Sequence, residues 1–304
     1  MAETNKPTTS NASGEAQIKP ASPLKAIFPL IAILVCFVIA EIAFWKGFGH
    51  PSNFKNGEKL DADYQAWVQA TGGTDEETAP PQAQEQEPAN TYGLIYKGGW
   101  VIPIGMTLAL VLFTFSIERG ITIARAGGKG NTDVFVKKVR NLLAKGNVDG
   151  AAQLCDKQRG SVGNIIKAGL RKYKEMEVAD HMEKEQKKTA IQSEIEEATM
   201  LELPMLERNL PIIATTASLG TLVGLIGTVL GMIRAFSALG EGGAPNAAEL
   251  SVGISEALIN TALGISTSAL SILAYNFFTT KIDGMTYAMD EAGYSIVQTF
   301  DVRN

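Results

Sequence analysis

A chain of 304 residues with a net charge of −5 and 45% hydrophobic residues is long enough for a soluble enzyme, but its apolar residues are not spread over short periodic elements. They are gathered into four long runs separated by very polar stretches, which excludes an ordinary soluble domain. The two cysteines (Cys36, Cys155) and two histidines (His50, His181) form neither a disulfide framework nor a metal cluster, and no basic patch with interleaved aromatics points to nucleic acid.

The fold class that follows is all-α. It is a multi-pass helical membrane protein whose long transmembrane helices extend into a helical cytoplasmic domain. Residues 1–23, rich in Thr, Ser, Asn, Ala and Pro, are expected to be a disordered cytoplasmic N-terminus. The apolar run 24–45 reads as an extra, retained transmembrane helix, because a signal peptide would have a shorter leader and would end at a small-residue cleavage site. Trp45 and Lys46 are placed as interfacial anchors.

Residues 46–91 read as a periplasmic loop. Within it, Gly57–Ala70 predicts a short helix with Leu60, Tyr64, Trp67 and Val68 on one side, and Thr71–Asn90 is a flexible, Pro- and Gln-rich stretch. The second span is expected over 92–117, with Pro103 and Gly105 placed to bend it. Residues 118–207 are polar and rich in Lys and Arg, which marks a cytoplasmic domain. Its helices are signalled by an Asn131 N-cap with a stop at Gly146, by a second helix from Val148 to Gly160, and by a third over Val162–Tyr173. A long amphipathic helix over Val178–Leu203 would carry Ile191, Ile195, Ala198 and Leu201 at helical spacing.

The remaining spans are expected over 208–239 and 250–280, around a periplasmic turn at 240–249 that carries Glu241 and Glu249 but no Lys or Arg. The polar tail 281–304 is expected to continue as cytoplasmic helix, so both termini lie on that side.

Polar and small residues within this last hairpin carry whatever chemistry the chain has. Gly220, Gly224, Gly227 and Gly231 form a ridge that permits close helix approach, and Gly264 is a small residue on the facing span. Thr228 lies about 11 residues before Leu239, and Thr261 about 11 after Leu250. At about 1.5 Å per residue both sit about 16 Å below the outer surface, near mid-membrane. Their hydroxyls either face a hydrated lumen or bond back to their own helices.

Arg234 and Glu256 lie nearer the outer end, at equal depth. Either they form an ion pair or Glu256 serves a transport role. There is no carboxylate at the midplane, so a proton carried across would need an acid from another polypeptide. No nucleophile–base pair, phosphate loop, cofactor site or metal site is visible, and an enzyme reading has no support. A passive membrane scaffold is the bland alternative.

At GLIGTVLGMIRAF (224–236) and ISEALINTALGISTSALSILAYNFF (254–278) the chain resembles the MotA/TolQ/ExbB proton-channel family on its ExbB/TolQ side. LERNL (206–210), IERG (117–120) and the LAKGNVDGAAQLC pattern add to the likeness. The resemblance implies an inner-membrane homopentamer around a dimer of a one-span ExbD/TolR-like partner. Each partner helix would carry a proton-binding Asp faced by Thr228 and Thr261, with Glu256 at the lumen or a subunit boundary. It also implies that proton flow drives a TonB-like protein, with a TolQ-like envelope motor or a flagellar or gliding stator as alternatives. The extra first span, its loop, and Arg234 in place of a neutral residue depart from the family pattern.

Overall fold

The computed structural model describes residues 23–73, 78–82, 87–240 and 247–303. The expectations for residues 1–22, for parts of the stretch after Thr71, and for most of the turn between the last two spans lie outside the described residues. Among the described residues the chain is helical, with no named strand and one isolated bridge between Phe54 and Pro88. Four helices are long and apolar enough to cross a membrane, so the protein is an all-α multi-pass membrane protein.

The first crossing helix, α1 (Pro23–Ile42), continues into a π-helical turn at Ala43–Phe48. Most of its large side chains, from Phe28 to Ile42, remain exposed on the chain, as a lipid-facing helix requires. α1 packs on α4 (Ile102–Ala126). Phe28 meets Phe115 edge-on, with ring centroids 6.5 Å apart, and the Cys36 sulfur lies 3.6 Å from Thr114 Oγ1.

Between α1 and α4 the chain forms a small module. The expected short helix is α2 (Gly57–Thr71), with Leu60, Tyr64, Trp67 and Val68 half-buried. Phe44 stacks on Tyr96 at 4.8 Å, and Phe48 stacks on Tyr92 at 5.5 Å. Buried Asn53 donates to the carbonyls of Gly47 (2.7 Å) and Phe48 (3.0 Å) and accepts from Asn90 Nδ2 (2.9 Å). These bonds satisfy backbone groups that the irregular turn leaves open.

The second crossing is not one helix from residue 92. α3 (Thr91–Tyr96) ends in a turn, Gly99–Val101 forms a 3-10 turn, and α4 follows. Gly99 has φ +74, a left-handed backbone that breaks the helix. Pro103 stands in the first turn of α4, where a missing N–H costs nothing, rather than mid-span.

The polar domain comprises α5 (Thr132–Ala144), α6 (Val148–Gln158), α7 (Gly160–Val178) and α8 (Lys184–Glu207), packed against the polar half of α10 (Ala247–Arg303). Asn131 caps α5, accepting from the N–H of Asp133 and Val134. The core includes Phe135, Val139, Leu143, Ile166, Tyr173, Ile191, Ile296 and Phe300. Burial, with Asp156 beside it, outweighs Lys167 and a backbone hydrogen bond and pushes the Cys155 thiol up to about 12, so it is an inert core thiol. Along α8, Ile191 and Ile195 are buried, but Leu201 is 69% exposed. The apolar stripe of α8 therefore loses its cover where the helix leaves the polar bundle.

α8 and α9 (Leu210–Gly240) are separated by a break at Arg208–Asn209. The IERG and LERNL segments meet there. Arg119, 2% exposed, holds Glu118 through Nε (2.7 Å) and Nη2 (2.5 Å). Its Nη1 donates to the carbonyls of Leu206 (3.1 Å) and Met205 (3.3 Å), which the helix break deprives of intrahelical donors. Asn209 Nδ2 adds a bond to Glu118 Oε2 at 3.0 Å. This cluster sets where α9 enters the membrane relative to α4.

Candidate functional site

The site is the α9–α10 hairpin, and its glycines decide its geometry. A Cβ added at Gly264 would lie 2.5 Å from the Gly220 carbonyl oxygen and 2.8 Å from the Gly224 Cα. One at Gly231 would lie 2.7 Å from both Ala257 N and Gly253 O, and one at Gly227 would lie 2.4 Å from Asn260 Cβ. The two helices therefore touch backbone to backbone, an approach open only to residues without a side chain. Thr221 Oγ1 and Ser268 Oγ, 2.7 Å apart, cross-link them near the Gly220 level, and the Ser268 hydroxyl also bonds the Ala217 carbonyl.

Thr228 Oγ1 donates to the Leu225 carbonyl at 2.6 Å, and Thr261 Oγ1 donates to the Ala257 carbonyl at 2.9 Å. Both hydroxyl protons are thus committed to their own helices. Their oxygens keep lone pairs, so each can still accept a hydrogen bond from water or from a protonated carboxyl. Among the described residues no bond joins the two threonines. Thr228 shares an open apolar face with Val229, Met232, Ile233 and Phe236.

Arg234 and Glu256 meet: Arg234 Nη1 lies 2.8 Å from Glu256 Oε2. The pair is lopsided, because the Glu256 side chain is 4% exposed and that of Arg234 is 62% exposed. The carboxylate is buried in the helix interface, and the guanidinium reaches it from the rim.

Two further contacts hold Glu256, and sequence reasoning missed both. Asn260 Nδ2 donates to the Gly98 carbonyl at 2.8 Å and to the Glu256 carbonyl at 3.0 Å. Gly99 presses on the carboxylate so closely that a Cβ there would lie 2.2 Å from Glu256 Oε1. Asn260 was visible as a polar residue one turn beyond Glu256. Its partner, 162 positions away, had no sequence signal.

A Gly99→Ala variant should therefore lose about 1–3 kcal/mol, from the left-handed backbone alone and from the collision with Glu256. Glu256→Ala placed in that background should recover part of the loss. Thermal unfolding of the single and double variants checks both statements.

What this arrangement offers chemically is hydrogen-bond acceptors part-way along the spans and a neutralised acid towards the turn. Among the described residues it has no nucleophile and base positioned together for covalent chemistry.

Comparison with known proteins places the hairpin and much of the polar domain in one group. Residues 157–291 match the MotA/TolQ/ExbB proton channel family. The chain is 46% identical over 77 residues to the biopolymer transport protein ExbB of Aquifex aeolicus, covering 25% of this chain and 52% of that protein. It is 36% identical over 84 residues to the Tol-Pal system protein TolQ of Haemophilus influenzae, covering 28% and 37%. A longer, weaker likeness joins it to the biopolymer transport protein ExbB of Pseudomonas putida, 24% identical over 199 residues, covering 65% and 58%. The chain thus spans between 37% and 58% of the length of these relatives. The matched residues 157–291 hold the glycine-packed hairpin and the LERNL segment, and the chain is similar to ExbB-like and TolQ members of the MotA/TolQ/ExbB proton channel family.

Proposed function

We propose that the chain is the channel-forming subunit of an inner-membrane proton motor. Five copies would surround two one-span partner helices of the ExbD/TolR type, and proton-motive force would become work on a TonB-like protein. Both termini and the polar domain would face the cytoplasm, and the α2 module the periplasm.

The observation that carries the reading is the state of the polar groups in the hairpin. The acid, Glu256, is buried and paired with Arg234, while Thr228 and Thr261 retain free lone pairs. A wall of this kind does not itself carry protons. It suits an acid brought by a partner: the protonated carboxyl donates to a threonine oxygen, and the deprotonated one is released towards water. The buried pair then shapes the wall. α1 packs on the side of α4, so the extra span would sit at the rim of the assembly and leave the lumen to α9 and α10.

Co-expression with a one-span protein bearing a membrane Asp tests this. The expected result is a complex of five copies of this chain with two of the partner by native mass measurement. Purification of the chain as a partner-free monomer under the same conditions would overturn it. A TolQ-like output is the second reading, favoured by the likeness to two TolQ proteins over partial lengths. Capture of a TonB-type or a TolA-type protein by the complex separates the two outputs.

A further inference from the structure

Three cations from two distant segments surround one recess at the polar end of α4. Arg125 lies in the last turn of α4, Lys129 follows that helix, and Arg159 stands between α6 and α7. With Ile121, Ala124 and Gln158 they line a concavity of about 480 Å³ that has no acidic residue in its wall. Among the described residues none of the three cations forms an ion pair.

A general excess of positive charge at a membrane boundary would explain scattered cations, but this group is built. Lys129 N donates to the Gln158 carbonyl at 2.8 Å, and Gln158 Nε2 donates to the Gly127 carbonyl at 2.9 Å. The two segments cross with no room for side chains: a Cβ at Gly128 would lie 2.2 Å from the Arg159 carbonyl oxygen, and one at Gly160 would lie 2.4 Å from that of Ala126. Arg159 itself is held at φ 58, a backbone that residues with side chains rarely adopt. From the recess wall outward, Ile121, Ile117 and Phe113 follow one another a turn apart along the membrane-spanning part of α4, 48%, 64% and 56% exposed.

We infer that this recess seats the headgroup of an anionic phospholipid. Its phosphate is held by Arg125, Lys129 and Arg159, and its acyl chains run along Ile121, Ile117 and Phe113. Unpaired cations beside an outward apolar stripe at the end of a span match that ligand in both charge and shape. The assignment rests on the membrane location of α4 and not on the proton-motor reading.

The test uses the full chain purified from membranes into neutral detergent, exchanged with phosphatidylglycerol or phosphatidylcholine, and read by native mass spectrometry. Wild-type protein should retain phosphatidylglycerol in preference to phosphatidylcholine. Each cation removed should weaken retention about fivefold, and Arg125→Ala/Lys129→Ala/Arg159→Ala together about a hundredfold. The charge-matched control Lys137→Ala/Lys138→Ala/Lys145→Ala, on α5 and its C-terminal cap, should retain the lipid as wild type does.

Arg159→Gly removes one cation while relieving the backbone, so it keeps the test open should the triple variant not fold. It should weaken retention about fivefold. Excess glycerol phosphate, which has the headgroup charge without chains, should not displace the lipid. Unchanged retention in Arg159→Gly, equal loss in the α5 control, or displacement by glycerol phosphate would each overturn the assignment.

Discussion

Replacing Gly264 by leucine should separate α9 from α10 and abolish a stable hairpin. A first side-chain carbon at this position would already lie 2.5 Å, 2.8 Å and 3.1 Å from backbone atoms of Gly220 and Gly224. Backbone cannot rotate out of the way as a side chain can, so the helix axes must move apart. That movement breaks the Thr221–Ser268 bond and strains the Arg234–Glu256 contact. Overpacking costs about 1–3 kcal/mol where neighbours can adjust, and this position belongs at or above the top of that range. Gly284→Leu, further along α10, is the matched control, because a Cβ there meets nothing within 4 Å. Replacing an unconstrained helical glycine should instead stabilise by about 0.5–1 kcal/mol. Unfolding of the two variants in mixed detergent should therefore shift in opposite directions.

The second large effect belongs to Arg119. Arg119→Met should destabilise by about 3–5 kcal/mol, the cost of leaving a partner charge and two carbonyls without their donor. Arg119→Lys should recover only part of this, since an ammonium cannot span Glu118 and the Leu206 carbonyl as the guanidinium fork does. The double variant Glu118→Gln/Arg119→Met should be less damaging than Arg119→Met alone, because it removes the orphaned charge. Denaturant unfolding across the cycle reads this directly. Additive losses would show that the two residues do not act as a unit.

Both effects come from contacts that only folding brings together, which shows where sequence reading reached its limit. Apolar run length was enough to find the crossing helices, since a bilayer sets a minimum length that no soluble element needs. The Asn131 cap and the α2 helix were legible because capping and helical periodicity are local. The glycine ridge was legible as a spacing, and its neighbours on α10 followed from the short turn between the two helices.

The broken start of the second crossing was not legible. Gly98 and Gly99 stand inside an apolar run that composition alone reads as continuous, and the break occurs where left-handed Gly99 lies against Glu256 on a helix far away in sequence. Likewise IERG and LERNL were visible as segments, but their meeting through Arg119 spans 87 positions. Leu201 has the spacing of a core residue, and periodicity cannot tell a stripe covered by the bundle from one left uncovered at its edge. The continuation of α10 through the polar tail, by contrast, was legible, and Gly284 and Gly293 do not stop it.

The central claim is that α9 and α10 wall a proton path whose acid belongs to a partner. Reconstituting the proposed complex with a one-span ExbD/TolR-like protein in liposomes, imposing a pH gradient and following lumenal pH tests it most directly. The account predicts that Thr228→Ala/Thr261→Ala leaves the assembly intact but slows proton entry about tenfold or more, the loss of hydrogen bonds to the partner's carboxyl. Proton entry at the wild-type rate through an intact double variant would contradict it.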